Sequence, residues 1–163
     1  MRARKCIGHG TRYLMGAGGR DATAEWPWDE SSALDCTGFL AWALGHNREL
    51  KPDEYPEFPG RWIESTAIVK DAKNKMILFQ QIPMEIVLPG DVLAYGDHKT
   101  RSGHVGLVAT SDQRGPLAVI HCSAANWRVR LDAIGETVPG PWLMNVDSIA
   151  ARCRLIQHPE AVA

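Results

Sequence analysis

No two cysteines in this 163-residue sequence stand in a Cys-x-x-Cys spacing, which removes a zinc ribbon and a thioredoxin-type redox site from consideration. The four that exist, Cys6, Cys36, Cys122 and Cys153, allow three disulfide pairings. A core of this size needs no such staple, so free thiols are expected. A surplus of either charge is also missing, with 18 Lys and Arg against 19 Asp and Glu and a net charge of −1. That balance argues against nucleic acid as a partner, and the short cluster Arg2, Arg4, Lys5 does not alter it. Long uncharged runs are absent. The longest, Gly115 to Trp127, holds 13 residues, against the roughly 20 apolar residues of a membrane span. No apolar stretch follows the basic N-terminus, so no export signal is expected. Neither a repeat nor a low-complexity tract occurs. What remains is a chain that is 45% hydrophobic and 23% charged, the composition of a folded protein, expected as one domain over residues 1–163.

Along the chain, Tyr13 is followed by Leu14-Met15-Gly16-Ala17-Gly18-Gly19, too glycine-rich for a helix and suited to positive-φ turns or a close backbone approach. Residues 20–34 read as a polar connection carrying Trp26 and Trp28. Cys36, Phe39, Leu40, Ala43 and Leu44 then fall on one helical stripe, with Asp35 as N-cap and Gly45 as the stop. Three prolines make residues 46–60 a loop. A helix is expected over Arg61 to Lys73, with Ile63, Ala67 and Lys70 turned inward, and a short strand over Met76 to Gln80.

From Pro89 the period becomes two. Strands are expected at Asp91–Tyr95, Gly103–Ala109 and Leu117–Cys122, with turn chemistry from Ser111 to Pro116. Two more are expected at Trp127–Leu131 and Ala151–Ile156. Helices followed by an antiparallel meander indicate an α+β domain.

Alternation places His104 with Gly106 and Val108, and His121 with Val119 and Leu117. A hairpin near residues 112 and 113 brings the two histidines close, and whether they share a face depends on register. Packing the helix against that sheet would bring Cys36 to them. A thiol at a helix N-terminus, an imidazole to take its proton and a polar group to orient the imidazole are the parts of a cysteine nucleophile. Blander readings compete. A cysteine on an apolar stripe is commonly a core residue, and a strand histidine is commonly structural. Cys36, His98, His104, His121 and Cys122 offer metal-ligand chemistry, but His121 and Cys122 point to opposite faces of one strand. Neither a metal site nor a cofactor is expected.

Asp35-Cys36-Thr37-Gly38-Phe39 resembles the Asp-Cys-Ser-Gly-aliphatic signature of the NlpC family of papain-like cell-wall cysteine peptidases. Pro89-Gly90-Asp91-Val92-Leu93, Gly103-His104-Val105-Gly106-Leu107-Val108, Ile120-His121-Cys122-Ser123 and the Tyr13 glycine element resemble further segments of that family, in its order. The resemblance implies a papain-like core with Cys36 as nucleophile, His104 as general base and acid, and His121 as the orienting residue. It implies that Tyr13, Asp35 and Thr37 contact substrate or its amino group, and that Ser102 and Gly103 line the cleft. Thr37 stands where the family has serine, and His46 to Ile82 carries no family motif.

The function implied is hydrolysis of an amide bond in peptidoglycan stem peptides, such as a D-glutamyl–diamino acid bond, through a Cys36 thioester. The partner is then a peptidoglycan or muropeptide substrate. Delivery to the wall by a phage or a secretion system would reconcile this with the missing export signal. The related CHAP amidases keep the Cys…His order with Asn or Glu third, for which Asn126 is the candidate. An acyltransferase of the same fold and a non-catalytic wall-binding module compete with the hydrolase.

Overall fold

A computed structural model of the chain describes residues 2–124, 127–134 and 147–155. After a 3₁₀ turn at Arg2–Cys6, strand β1 (Arg12–Tyr13) runs parallel to β2 (Ala33–Leu34). Helix α1 (Cys36–Leu44) follows, then α2 (Ser65–Lys70), which continues into a π turn at Asp71–Lys75. Strands β3 (Phe79–Ile82), β4 (Val92–Tyr95), β5 (His104–Asp112), β6 (Gly115–Ser123), β7 (Arg128–Ala133) and β8 (Ile149–Cys153) form a six-stranded sheet. Every pairing in that sheet is antiparallel, as the α+β expectation requires.

Strand order is β3-β8-β4-β5-β6-β7. Only β4 to β7 form the expected meander, because the last strand returns to lie between β3 and β4. Its place is marked by charge: Asp91, fully buried, receives two hydrogen bonds from the Arg152 guanidinium at 2.9 and 2.8 Å. The β5–β6 hairpin is tighter than its turn chemistry indicated. Asp112 pairs with Gly115 across a two-residue loop, and bulges between Val108 and Ser111 absorb the mismatch.

The sheet has an apolar layer on each face. Val105, Leu107, Ala109, Ile120 and Cys122 belong to the main core with Phe39, Leu40 and Trp42 of α1. Leu93, Tyr95, Val108, Val119 and Ala150 form a second layer with Val87. Helix α1 is buried nearly all round, Thr37, Gly38, Ala41 and Trp42 included, so its expected stripe is only part of a central element.

Other local expectations shift. The helix expected from Arg61 begins at Ser65, and Lys70 is exposed rather than inward, while Ile63 and Ala67 are buried. The strand expected at Met76 starts at Phe79, because Met76 takes a left-handed conformation that ends the π turn. Asp71 stops that turn by accepting the N–H groups of Ile77, Leu78 and Phe79 at 2.8–2.9 Å. All four cysteines are buried, and Cys6, Cys36 and Cys122 are free thiols. Asn126 and Ile156 lie outside the described residues. Among the described residues no helix is long and apolar enough to cross a membrane.

Candidate functional site

The head of α1 is built around one carboxylate. Asp35 caps the helix by accepting the Gly38 N–H at 2.7 Å, and it also accepts the Gly16 N–H at 2.6 Å and the Thr37 hydroxyl at 3.1 Å. Arg48 grips it with both terminal nitrogens, at 2.9 and 2.8 Å. A buried carboxylate needs this many donors, since an unpaired charge there costs several kcal/mol. The glycine element explains itself at the same point. A Cβ on Gly19 would stand 2.3 Å from the Gly38 carbonyl oxygen, and one on Gly38 would stand 2.4 Å from that of Ala17. Loop and helix therefore meet backbone to backbone, which only glycine permits.

Cys36 occupies the first position of this helix with 6% of its surface exposed. The Tyr13 hydroxyl donates to its sulfur at 3.7 Å, and the main-chain N–H of Val105 lies close enough to favour its charged form. The sheet explains that second approach. Ladder pairing between β5 and β6 begins at Leu107 and Ile120, although β5 starts at His104 and β6 ends at Ser123. Cys36 thus sits at the end of β5 that precedes this ladder, against the residue that follows His104.

His104 shares its strand face with Val108, in the layer turned away from α1. His121 lies on the same face, two residues from Val119, so the register that sequence left open brings the imidazoles together. The Nε2 of His104 is 2.7 Å from the Nδ1 of His121, and the Nε2 of His121 is 2.9 Å from Asp132 Oδ2. Asp132 pairs with Val119 across β6 and β7, hence its position on that face, and Arg130 contacts its other oxygen. An ionised carboxylate only accepts, so His121 carries its proton on Nε2. Its Nδ1 is then an acceptor and the His104 Nε2 is the donor. The lone pair of His104 is left on Nδ1, the ring nitrogen nearer its own main chain.

Titration follows burial. Desolvation pushes the Cys36 thiol up to about 11, Asp35 adding to the rise while Tyr13, Val105 and Arg48 oppose it. Desolvation, then the charge on His121, hold His104 down to about 3, against the pull of Asp132. His121 is lowered by burial, with Asp132 opposing, and the Tyr13 hydroxyl is raised by burial and by Cys36. Burial and the cap's own negative charge thus favour the neutral thiol over the thiolate, against the pull of the nine-residue helix.

Of the residues named from sequence, Cys36, Tyr13, Asp35 and Thr37 meet at the helix head, and His104 and His121 meet on the sheet. Asp35 and Thr37 are turned into the protein and bound to Arg48, the hydroxyl of Thr37 at 2.7 Å. This placement ties the helix head to the loop that carries Arg48. Gly103 lies where a Cβ would stand 2.2 Å from the Ser65 hydroxyl oxygen, and its N–H donates to Asp97 at 2.6 Å. Ser102 is exposed beside it. Sequence reasoning missed Asp132 and Arg48. The first falls one residue past the expected strand, where continued alternation would have found it. The second reads as an ordinary charge in a proline-rich loop. Among the described residues, no three His, Cys, Asp or Glu side chains converge to hold a metal.

No family model matches the chain, and no curated protein matches it in sequence. Among solved structures, NlpC1 from Trichomonas vaginalis is similar with a TM-score of 0.51 and 20% identity, over 91% of this chain and 40% of that one. NlpC2 from the same organism gives a TM-score of 0.49 and 19% identity, over 93% and 43%. This chain spans less than half the length of either. Its fold is the NlpC-type, papain-like α+β fold.

Proposed function

We propose that the chain is a cysteine amidohydrolase that cleaves an amide bond in cell-wall stem peptides, such as a D-glutamyl–diamino acid bond. The observation that carries this reading is the hydrogen-bonded series His104, His121, Asp132, which leaves a basic nitrogen on the residue next to the N–H that approaches the Cys36 sulfur. In the first step the sulfur attacks the amide carbon while the His104 Nδ1 takes the thiol proton. The first N–H groups of α1 have no helical acceptor, and that of Cys36 is the donor for the developing oxyanion. The carbon–nitrogen bond then breaks, and His104 returns the proton to the leaving amine. Water, deprotonated by His104, attacks the thioester, releasing the carboxylic acid and restoring the thiol.

In this scheme Tyr13 lies beside the nucleophile, and Ser102 and Gly103 line the approach to His104. His121 and Asp132 act through His104 by holding its tautomer. Because thiol and imidazole both rest neutral, proton transfer accompanies attack rather than preceding it.

The test is release of muropeptides from purified cell walls, read by mass spectrometry. The wild-type chain should release them and Cys36→Ala should not, while His104→Gln should match the loss. Release by Cys36→Ala would end the proposal. The deep burial of Cys36 favours a competing reading, a non-catalytic wall-binding module. For such a module, sedimentation with walls would persist and no variant would change the products.

A further inference from the structure

Beside the head of α1 lies a cavity of about 520 Å³, between the glycine loop, Arg20, Arg48 and residues 59–64. Its outer wall is held by main-chain bonds. The Leu50 N–H donates to the Arg61 carbonyl and the Ile63 N–H to the Arg48 carbonyl, each at 2.8 Å, and Glu49 bridges Trp62. The guanidinium carbons of Arg20 and Arg48 each stand 5.5 Å from the Trp62 ring centre, so the indole is flanked by two cations.

The charges do not cancel. Arg48 is neutralised by Asp35. Yet its Nε is buried without a hydrogen-bond partner, a donor left wanting an acceptor. Arg20 and Arg61 line the same cavity and are exposed, and among the described residues neither makes an ion pair. Glu64 is the acidic residue of the lining. Two unpaired guanidinium groups against one carboxylate leave room for a single negative charge, with the indole as an apolar wall.

We propose that this cavity is a carboxylate-binding subsite, taking a group of the substrate that carries one negative charge on a short apolar stem. Arg20 and Arg61 bind the carboxylate in the planar geometry that guanidinium favours, and Trp62 packs against the stem. Glu64 disfavours a dianion such as phosphate. The position is suited to substrate, because Gly16 and Arg48 of its lining both hold Asp35, the neighbour of Cys36. The inference rests on the hydrolase reading for its biological substrate, but not for its test.

Cys36→Ala, which cannot turn over, is titrated by calorimetry with a γ-glutamyl dipeptide bearing a free α-carboxylate, and with the same dipeptide as its carboxamide. The carboxylate form should bind about tenfold more tightly, the value of one charge-assisted pair. That preference should fall to about parity in Arg20→Gln/Arg61→Gln made on the same background, because the charges it depends on are gone. Parity in the parent, or a preference the double variant keeps, would overturn the subsite. Tighter binding of inorganic phosphate would overturn the single-charge assignment. Wall hydrolysis by the wild-type chain is measured in parallel. Hydrolysis without carboxylate preference removes only the subsite, whereas preference without hydrolysis removes only the hydrolase.

Discussion

His104 and His121 share one hydrogen bond, Nε2 to Nδ1 at 2.7 Å, on the sheet face that α1 does not touch. The nucleophile candidate belongs to the core layer on the helix side, so the two halves of the site come from opposite faces. The direction of the shared proton is set from outside the pair, by Asp132.

Asp132→Leu should therefore lower kcat for wall hydrolysis by about a hundredfold or more, the scale of losing a correctly oriented base, with KM little changed. Asp132→Asn can donate as well as accept, so it no longer fixes the tautomer and should lose about as much, whereas Asp132→Glu keeps a carboxylate and should recover part of the rate. Full rate in Asp132→Asn, or a change confined to KM, would show that Asp132 merely supports the fold.

Alkylation tests the resting state. With the thiol raised to about 11 and His104 lowered to about 3, the neutral pair is favoured over a thiolate–imidazolium pair at neutral pH. The rate of Cys36 modification by iodoacetamide should climb steadily from pH 6 to pH 9, about tenfold per unit, as a simple thiol ionisation does. A plateau already reached at pH 6 would establish the ion pair instead.

The same burial makes stability pH-dependent. His104 is held near 3 in the folded chain, against about 6.5 in the unfolded one. Between those values the unfolded state binds more protons, so stability is complete above about pH 6.5 and is lost as the pH falls. The slope is up to about 1.4 kcal/mol per pH unit from this residue alone. Urea midpoints taken from pH 7 to pH 4 should fall accordingly, and His104→Gln should flatten the curve. An unchanged slope would reject the buried neutral imidazole.

Arg48→Met should cost about 3–5 kcal/mol, because it strands Asp35 as a buried charge with only short-range donors. Urea unfolding measures this, and a loss below about 1 kcal/mol would mean that Asp35 reaches solvent.

Backbone contact at the glycine loop gives a sharper contrast. Gly38→Ala should destabilise by about 2 kcal/mol or more, since the added carbon meets a carbonyl that cannot step aside. Gly10→Ala has open space around it and should change the Tm very little. Similar effects at the two positions would contradict the close approach.

Helix α1 was legible from its ends inward, because Asp35 and Gly45 are local signals and five apolar positions fix the period. The strands carrying His104 and His121 were legible for the same reason. Their common face was not, since it depends on the bulges near Thr110 and on a two-residue turn inside a longer polar segment. Arg48 escaped notice because nothing local distinguishes an arginine that will be buried against a residue 13 positions earlier. Asp132 lies on a strand whose exposed neighbours look like any solvated edge. The position of β8 escaped notice too, as strand order is set by partners tens of residues away.

That last strand has a consequence for biosynthesis. Until Ile149–Cys153 leaves the ribosome, β3 and β4 have no ladder between them, and Asp91 waits in an apolar setting for Arg152. A nascent chain halted before that point would display two unpaired strand edges, the invitation to aggregate that a finished molecule withdraws.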